Sequence, residues 1–131
     1  LSEIAMQEQV GLLAYSPLAQ GTLTGKYLNG QMPQGSRLAL FGDTPLMMRY
    51  KGDKTQKAIE MYVEVAKKFE IDPTQLAIQF CNIQPFVTSN IIGATTMEQL
   101  KICIDSIHLD INKEIMNEIR KVHKEIPNPA P

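Results

Sequence analysis

The segment Gly11-Leu12-Leu13-Ala14-Tyr15-Ser16-Pro17 is the best guide to the fold of this chain, because it opens with a continuous apolar run. Continuous rather than alternating apolarity is typical of a strand buried on both faces, as in a parallel sheet. Proline cannot donate to a neighbouring strand, so the strand is predicted to end before Pro17. A second short strand is predicted over residues 89–93, between turn residues.

Helical patterns lie between and after these strands. Residues 54–69 repeat apolar side chains at 3.6-residue spacing, and Asp72-Pro73 is a helix start that predicts a helix over residues 73–83. Apolar spacing predicts a last amphipathic helix over residues 111–126, and residues 1–9 resemble the last turns of a helix. Residues 21–53 show no sustained period and are predicted to form a long loop.

The helix after the second strand has a start signal of its own. Thr96 and Gln99 have the spacing of a capping box, in which each side chain bonds the backbone of the other. The buried stripe of this helix is predicted to contain Leu100, Cys103, Ile104 and Ile107.

The predicted order alternates strands and helices, which indicates an α/β fold with parallel strands. Two strands cannot form a parallel sheet that is covered on both faces, and a (β/α)8 TIM barrel needs eight strands in ~250 residues. The pattern is therefore expected to be the final part of a larger barrel. The first residue, Leu1, is consistent with that expectation of a fragment.

Composition excludes several classes of function. The 131 residues carry a formal net charge of −1 and a pI near 6.1, whereas nucleic-acid and membrane-surface binding need a concentrated basic face. With no secretory signal pattern, a cytoplasmic location is expected. Cys81 and Cys103 are expected to be buried reduced thiols, and His108 and His123 to be surface residues. No metal-ligand spacing is found.

The chemistry-bearing residues follow the two strands. The first strand leads into Ser16-Pro17-Leu18-Ala19-Gln20-Gly21, and the second leads through Gly93-Ala94-Thr95-Thr96 into a helix start, which favours anions such as phosphate. From the residues alone each motif has a plain alternative: an ordinary strand-to-loop transition for the first and a simple helix cap for the second. Lys26 and Arg37 could equally be solvated surface charges.

Taken together, GLLAYSPLAQGTLTGKY (residues 11–27), PQGSR (33–37) and SNIIGATTMEQL (89–100) resemble the aldo-keto reductase family. The resemblance is closest to the bacterial oxidoreductase branch, which is similar to the potassium-channel β-subunits, and extends to the closing PNPAP. It implies that residues 1–131 are the C-terminal portion of an NADP-dependent barrel, containing its last two strands. The family reduces carbonyls by hydride transfer.

The resemblance also implies a role for each matching residue. The ring of Tyr15 would stack on the nicotinamide. Five residues would line the turn that binds the pyrophosphate: Ser16, Pro17, Leu18, Gln20 and Thr24. Lys26 and Arg37 would be the cations near the phosphates, and Gly93, Thr95 and Gln99 would hold the adenosine end with its 2′-phosphate. Contacts with the 2′-phosphate would favour NADP over NAD.

The match fails in two places. The family's Glu and Asn, which reach the adenine edge, are replaced by Ile102 and Cys103. The catalytic Tyr, Asp, Lys and His belong to the first strands of the family's barrel and have no counterpart in these residues. The chain is thus expected to need an N-terminal part of the barrel, or to self-associate, and to meet a small carbonyl substrate only in a complete barrel. The alternative is a non-catalytic remnant or interaction module with weak or no cofactor binding.

Overall fold

A computed structural model of the protein describes residues 1–130 and confirms an α/β architecture with parallel strands. The last residue of the closing motif, Pro131, lies outside the described residues. The strands and α-helices are, in chain order, α1 (Ser2–Gln7), β1 (Leu12–Tyr15), α2 (Arg37–Phe41), α3 (Pro45–Met48), α4 (Asp53–Lys68), α5 (Pro73–Asn82), β2 (Val87–Ile91), α6 (Met97–Asp105) and α7 (Lys113–Glu125). Short 3₁₀ helices cover Ala19–Thr24, Leu28–Gly30 and Ser106–His108.

The main core lies where α4, α5 and α7 pack together. Its buried side chains are Val65, Ala66, Leu76, Ile115, Ile119 and Val122. The three helices form where the apolar spacing predicts them. The predicted cap of α5 is confirmed, because the carboxylate of Asp72 accepts hydrogen bonds from the backbone N–H groups of Thr74 (2.7 Å) and Gln75 (3.3 Å).

The two strands pair in parallel, with Leu12 opposite Val87 and Tyr15 opposite Ile91. The prediction that β1 is buried on both faces is wrong. Leu13 is 62% exposed and Tyr15 is 78% exposed, whereas Leu12 and Ala14 are half-buried. Helix α5 packs on one face of the sheet, and no described element covers the face that carries Leu13 and Tyr15.

The second strand begins and ends two residues earlier than the predicted range of 89–93. The pairing with β1 sets these bounds, because β1 starts opposite Val87 and ends opposite Ile91. After Tyr15 the first strand cannot continue, since Ser16 turns the backbone away with φ +57°. The backbone at Gly11 passes close to Thr88 on the neighbouring strand, which explains the glycine. A Cβ on Gly11 would lie 2.8 Å from the Thr88 hydroxyl oxygen.

The predicted buried stripe of α6 is partly wrong. Cys103 is buried, but Ile104 is 51% and Ile107 is 61% exposed. Apolar spacing allows two overlapping rows on this helix, and packing of α6 against α5 selects the row that contains Cys103 and Ser106. Ile102 lies half-buried.

The predicted loop over residues 21–53 contains short helices. Two side chains fix it to the rest of the chain: Tyr27 is 6% exposed and Met47 is 2% exposed. The Tyr27 hydroxyl oxygen also accepts a hydrogen bond from the N–H of Leu38, 3.4 Å away, which ties α2 to the preceding 3₁₀ turns. Single-turn helices of this length have no repeat long enough to appear as a period.

Candidate functional site

The two motifs that follow the strands lie at one edge of the sheet. Because Tyr15 and Ile91 are opposite each other in a parallel pair, the residues that follow them leave the sheet on the same side. Ser16 and Gly93 therefore lie on a shared rim. The region around them is called the strand-end rim below: residues 15–26, Arg37 and residues 93–99.

A chain of side-chain contacts crosses this rim. The Gln20 amide nitrogen donates to the Ser16 hydroxyl oxygen at 3.0 Å, and Arg37 donates from Nη1 to the Gln20 side-chain oxygen at 2.7 Å. The other terminal nitrogen of Arg37 lies 3.9 Å from the position that a Cβ on Gly93 would occupy. Four residues that the resemblance assigns to cofactor binding are thus brought together: Ser16, Gln20, Arg37 and Gly93.

The backbone of this turn is held in an unfavourable conformation. Ser16, Ala19 and Gln20 have φ values of +57°, +48° and +60°, in the left-handed region that non-glycine residues rarely adopt. Such conformations cluster at ligand-binding sites, where the surrounding structure holds the residues in place. The strained turn lies where the cation of Arg37 meets the end of β1.

Lys26 lies beside the same turn. Its ammonium nitrogen is 3.1 Å from the position of a Cβ on Gly21 and 5.1 Å from the centre of the Tyr27 ring. The Thr24 hydroxyl donates to the Gly21 carbonyl at 2.9 Å, and its oxygen faces the N–H of Lys26 at 3.4 Å. A second cation therefore lies near the strained backbone.

The end of the second strand is built differently from the predicted capping box. Thr96 does cap α6, because its hydroxyl oxygen accepts from the Gln99 N–H at 3.2 Å. The Gln99 side-chain oxygen, however, accepts from the N–H and the hydroxyl of Thr95, both at 3.0 Å. Thr95 and Gln99 thus form a pair of their own.

The remaining predicted contacts flank the start of the rim. The Tyr15 ring is exposed, and Pro17 and Leu18 are half-buried. The Leu18 carbonyl closes the turn by accepting from the N–H of Gly21 at 2.8 Å.

Sequence reasoning missed a mostly apolar groove of about 500 Å³ beside β1. Its lining combines the end of the strand with side chains of α4, α5 and α7, among them Tyr15, Pro17, Tyr62, Phe80, Cys81 and His123. No sequence signal marks this groove, because its walls come from five separate elements, including the 3₁₀ helix that carries Leu23. His123 is exposed, as predicted, although it also contributes to the lining.

The thiols are free, as predicted, and neither has the environment of a nucleophile. Cys103 is buried, as predicted, whereas Cys81 is only half-buried. Burial raises the pKa of both thiols, and the carboxylate of Asp72 raises that of Cys103 further. A raised pKa keeps a thiol protonated near neutral pH. Cys103, where the resemblance predicts an adenine-reaching Asn, packs inside instead of facing the rim.

Within residues 1–130, the His, Cys, Asp and Glu side chains form no group of three that could hold a metal ion. None of the helices in that range has both the length and the apolar character needed to cross a membrane.

Comparison with known proteins places these features in a family. The model of the Aldo/keto reductase family matches residues 1–124. The chain is 49% identical over 131 residues to Protein tas of Escherichia coli (strain K12), covering 100% of this chain and 37% of that protein. It is 36% identical over 122 residues to a probable voltage-gated potassium channel subunit beta of Oryza sativa subsp. japonica, covering 90% and 37%. It is 38% identical over 97 residues to L-glyceraldehyde 3-phosphate reductase of Escherichia coli (strain K12), covering 70% and 27%.

Proposed function

Since this chain belongs to the aldo/keto reductase family, we propose that its strand-end rim binds the phosphates of NADP(H) and forms part of a carbonyl reductase. The family fold is a TIM barrel, and the two parallel strands with their helices are an α/β segment of such a barrel. The chain spans about a third of the length of its relatives, 37% for Protein tas, so the reaction of the whole protein is part of this proposal.

One observation carries the proposal: Arg37 lies between the two strand ends, bonded to Gln20 on one side and beside Gly93 on the other. Guanidinium groups bind phosphate oxygens by charge-assisted hydrogen bonds, and the Lys26 ammonium adds a second positive charge nearby. The hydroxyl of Ser16 is a neutral donor on the same rim, whereas that of Thr95 already donates to Gln99. Two cations and a free hydroxyl suit a ligand with several phosphates.

Each of these residues would contribute to cofactor binding according to its chemistry. When bound, NADPH supplies the hydride that reduces a carbonyl carbon. The exposed ring of Tyr15, at the end of β1, offers a flat apolar surface on which a nicotinamide ring can stack. Arg37 and Lys26 would neutralise phosphate charge, and we assign the 2′-phosphate end of the cofactor to the side of the rim that carries Thr95 and Gln99. The proton that the carbonyl oxygen must receive comes from residues outside these motifs.

Binding of NADPH, followed by thermal unfolding, tests the proposal. At 100 times its dissociation constant, NADPH is expected to stabilise the chain by about 2.7 kcal/mol. NADH, without the 2′-phosphate, is expected to stabilise it less at the same concentration. Arg37→Gln is expected to weaken NADPH binding about tenfold, because it removes one charge-assisted phosphate contact.

Arg120→Gln is the matched control, because it removes the same charge from the exposed surface of α7. Its NADPH affinity is expected to equal that of the wild type. A folded wild-type chain that NADPH leaves unstabilised contradicts the proposal. Equal weakening by both arginine substitutions also contradicts it, since that result indicates a non-specific effect of net charge.

A second candidate function, interaction, is favoured by the bare face of the sheet. Leu13, Tyr15 and Ile91 are 62%, 78% and 53% exposed on neighbouring strands. Exposed apolar side chains on a short sheet with open edges favour pairing with another chain. We propose that this face is covered by the N-terminal part of the barrel or, without it, by self-association. A cytoplasmic location belongs to the same proposal, because both cysteines are free.

A further inference from the structure

The carboxamide of Gln20 links the hydroxyl of Ser16 to the guanidinium of Arg37. Arg37 has only donors, so the Gln20 atom 2.7 Å from its Nη1 must be the side-chain oxygen. The amide nitrogen therefore faces Ser16, where it donates to the hydroxyl oxygen at 3.0 Å. The chemistry of arginine thus fixes the orientation of the amide.

This orientation decides what the neighbouring groups can offer a ligand. Ser16 accepts from Gln20, and an amide nitrogen cannot accept, so the hydroxyl hydrogen of Ser16 is left for another acceptor. Arg37 uses Nη1 for Gln20 and directs Nη2 toward the position beside Gly93. Both groups therefore present donors on the rim, and the matching ligand atoms are acceptors such as phosphate oxygens.

We infer that Gln20 is a positioning residue, which sets Ser16 and Arg37 as a preformed pair of donors for a pyrophosphate group. The inference rests on the proposed function and gives Gln20 a role that acts through its neighbours rather than by direct contact with the reacting atoms. Preformed donors lower the cost of ordering side chains when the ligand binds.

The backbone supports this role. Gln20 has φ +60° and ψ +22°, a conformation that glycine adopts without penalty and glutamine does not. A residue kept only for the turn would best be glycine, as in the neighbouring Gly21 at φ +90°. From this position the side chain of Gln20 bonds both Ser16 and Arg37, which glycine could not do.

Gln20→Gly separates the backbone from the side chain. Removing the left-handed strain is expected to raise Tm by about 2 °C or more. Loss of the bridge is expected to weaken the binding of inorganic pyrophosphate and of NADPH about five- to tenfold, as measured by isothermal titration calorimetry. A residue with a merely structural role would not give a higher Tm together with weaker binding.

Gln9→Gly is the matched control, because Gln9 also has a positive φ, +52°, and lies before β1, outside the strand-end rim. It is expected to raise Tm with unchanged affinity for both ligands. Gln20→Glu is the second variant: its carboxylate accepts from Arg37 but also from Ser16, which withdraws the Ser16 hydrogen from the ligand and adds a repelling charge. Its binding is expected to be weaker than that of Gln20→Gly.

The outcomes separate the two claims. If wild-type chain binds neither pyrophosphate nor NADPH, the proposed function fails, and the inference with it. If wild type binds both and Gln20→Gly binds equally well, only the inference is overturned. A fall in Tm for Gln20→Gly, in parallel with lost binding, also overturns it, because glutamine is then needed for the fold.

Discussion

The helical core and the strand-end rim are built on opposite principles. In the core, Ala66 is fully buried and Ile115 is 4% exposed, and regular helices carry both. At the rim, Ser16 and Gln20 have left-handed backbones, and their side chains form polar contacts with an exposed Arg37. The core minimises strain and hides apolar surface. The rim keeps strain and polar groups that packing does not require, which is the usual mark of a binding site.

The comparison predicts that the two regions respond differently to mutation. A change in the core should reduce stability and leave the affinity of a folded chain for NADPH unchanged. A change at the rim should alter ligand affinity with little loss of stability.

Ile115→Ala should give the largest loss of stability. Ile115 lies on α7, in the core cluster formed with α4 and α5, and truncating such a side chain removes apolar burial and leaves a cavity, at a cost of about 2–5 kcal/mol. Urea unfolding measures this cost. The control Ile107→Ala changes a side chain that is 61% exposed and should alter stability by less than about 0.5 kcal/mol. Equal losses in the two variants would show that the apparent core does not hold the fold.

The bare face of the sheet adds a third kind of surface, apolar like the core but exposed like the rim. Leu13→Thr keeps a strand-forming side chain and removes apolar area from this face. Sedimentation velocity over a range of concentrations should show wild-type self-association and, for Leu13→Thr, a dissociation constant about tenfold higher or more. Ile104→Thr, which changes an exposed residue of α6, should associate like wild type. A wild-type chain that stays monomeric at every concentration contradicts the self-association proposal.

Substitutions at two helix caps test the same separation of stability from ligand affinity, with smaller expected effects. Asn112 caps α7 through hydrogen bonds from Glu114 and Ile115, and Thr96 caps α6 through one from Gln99. Replacing either cap with Ala should cost about 1 kcal/mol. Only Thr96→Ala should also weaken NADPH binding, because α6 begins at the rim. If calorimetry finds equal affinities for the two variants, the second strand end does not take part in binding.

The parts that could be predicted from sequence are those governed by local rules. The apolar spacing of residues 54–69 and the cap at Asp72 predict α4 and the start of α5 within a residue. Boundaries that depend on a partner could not be predicted. The ends of β2 follow from its pairing with β1, and the exposure of Ile104 follows from which face of α6 meets α5.

The candidate site divides in the same way. The resemblance supplies the names of the site residues, because the motifs around Ser16 and Gly93 are contiguous in sequence. The hydrogen bond from Arg37 to Gln20 joins residues 17 positions apart. It depends on the left-handed backbone of Gln20, which the sequence does not indicate because the residue is not glycine. Contacts of this kind arise from the folded backbone, so a linear pattern does not contain them.

The smallest effect concerns an ion pair at the edge of the core, where packing and surface charge meet. Hydrogen bonds from Lys121 (2.8 Å) and Lys68 (3.2 Å) lower the pKa of the Glu118 carboxyl, linking α7 to α4. A lowered folded-state pKa contributes stability above the ordinary pKa of glutamate, and this contribution is lost as pH falls through the folded value. Glu118→Gln should therefore be less stable than wild type near neutral pH and equal to it in acid.

Urea unfolding at both pH values checks this, with Glu64→Gln on α4 as the control for an exposed carboxylate. Because the Glu118 pairs are open to solvent, high salt should erase the difference that Glu118→Gln makes near neutral pH. A difference that persisted in acid or in high salt would show that Glu118 contributes through packing rather than charge. In that case Glu118 would belong to the packed core of α7 rather than to its charged surface.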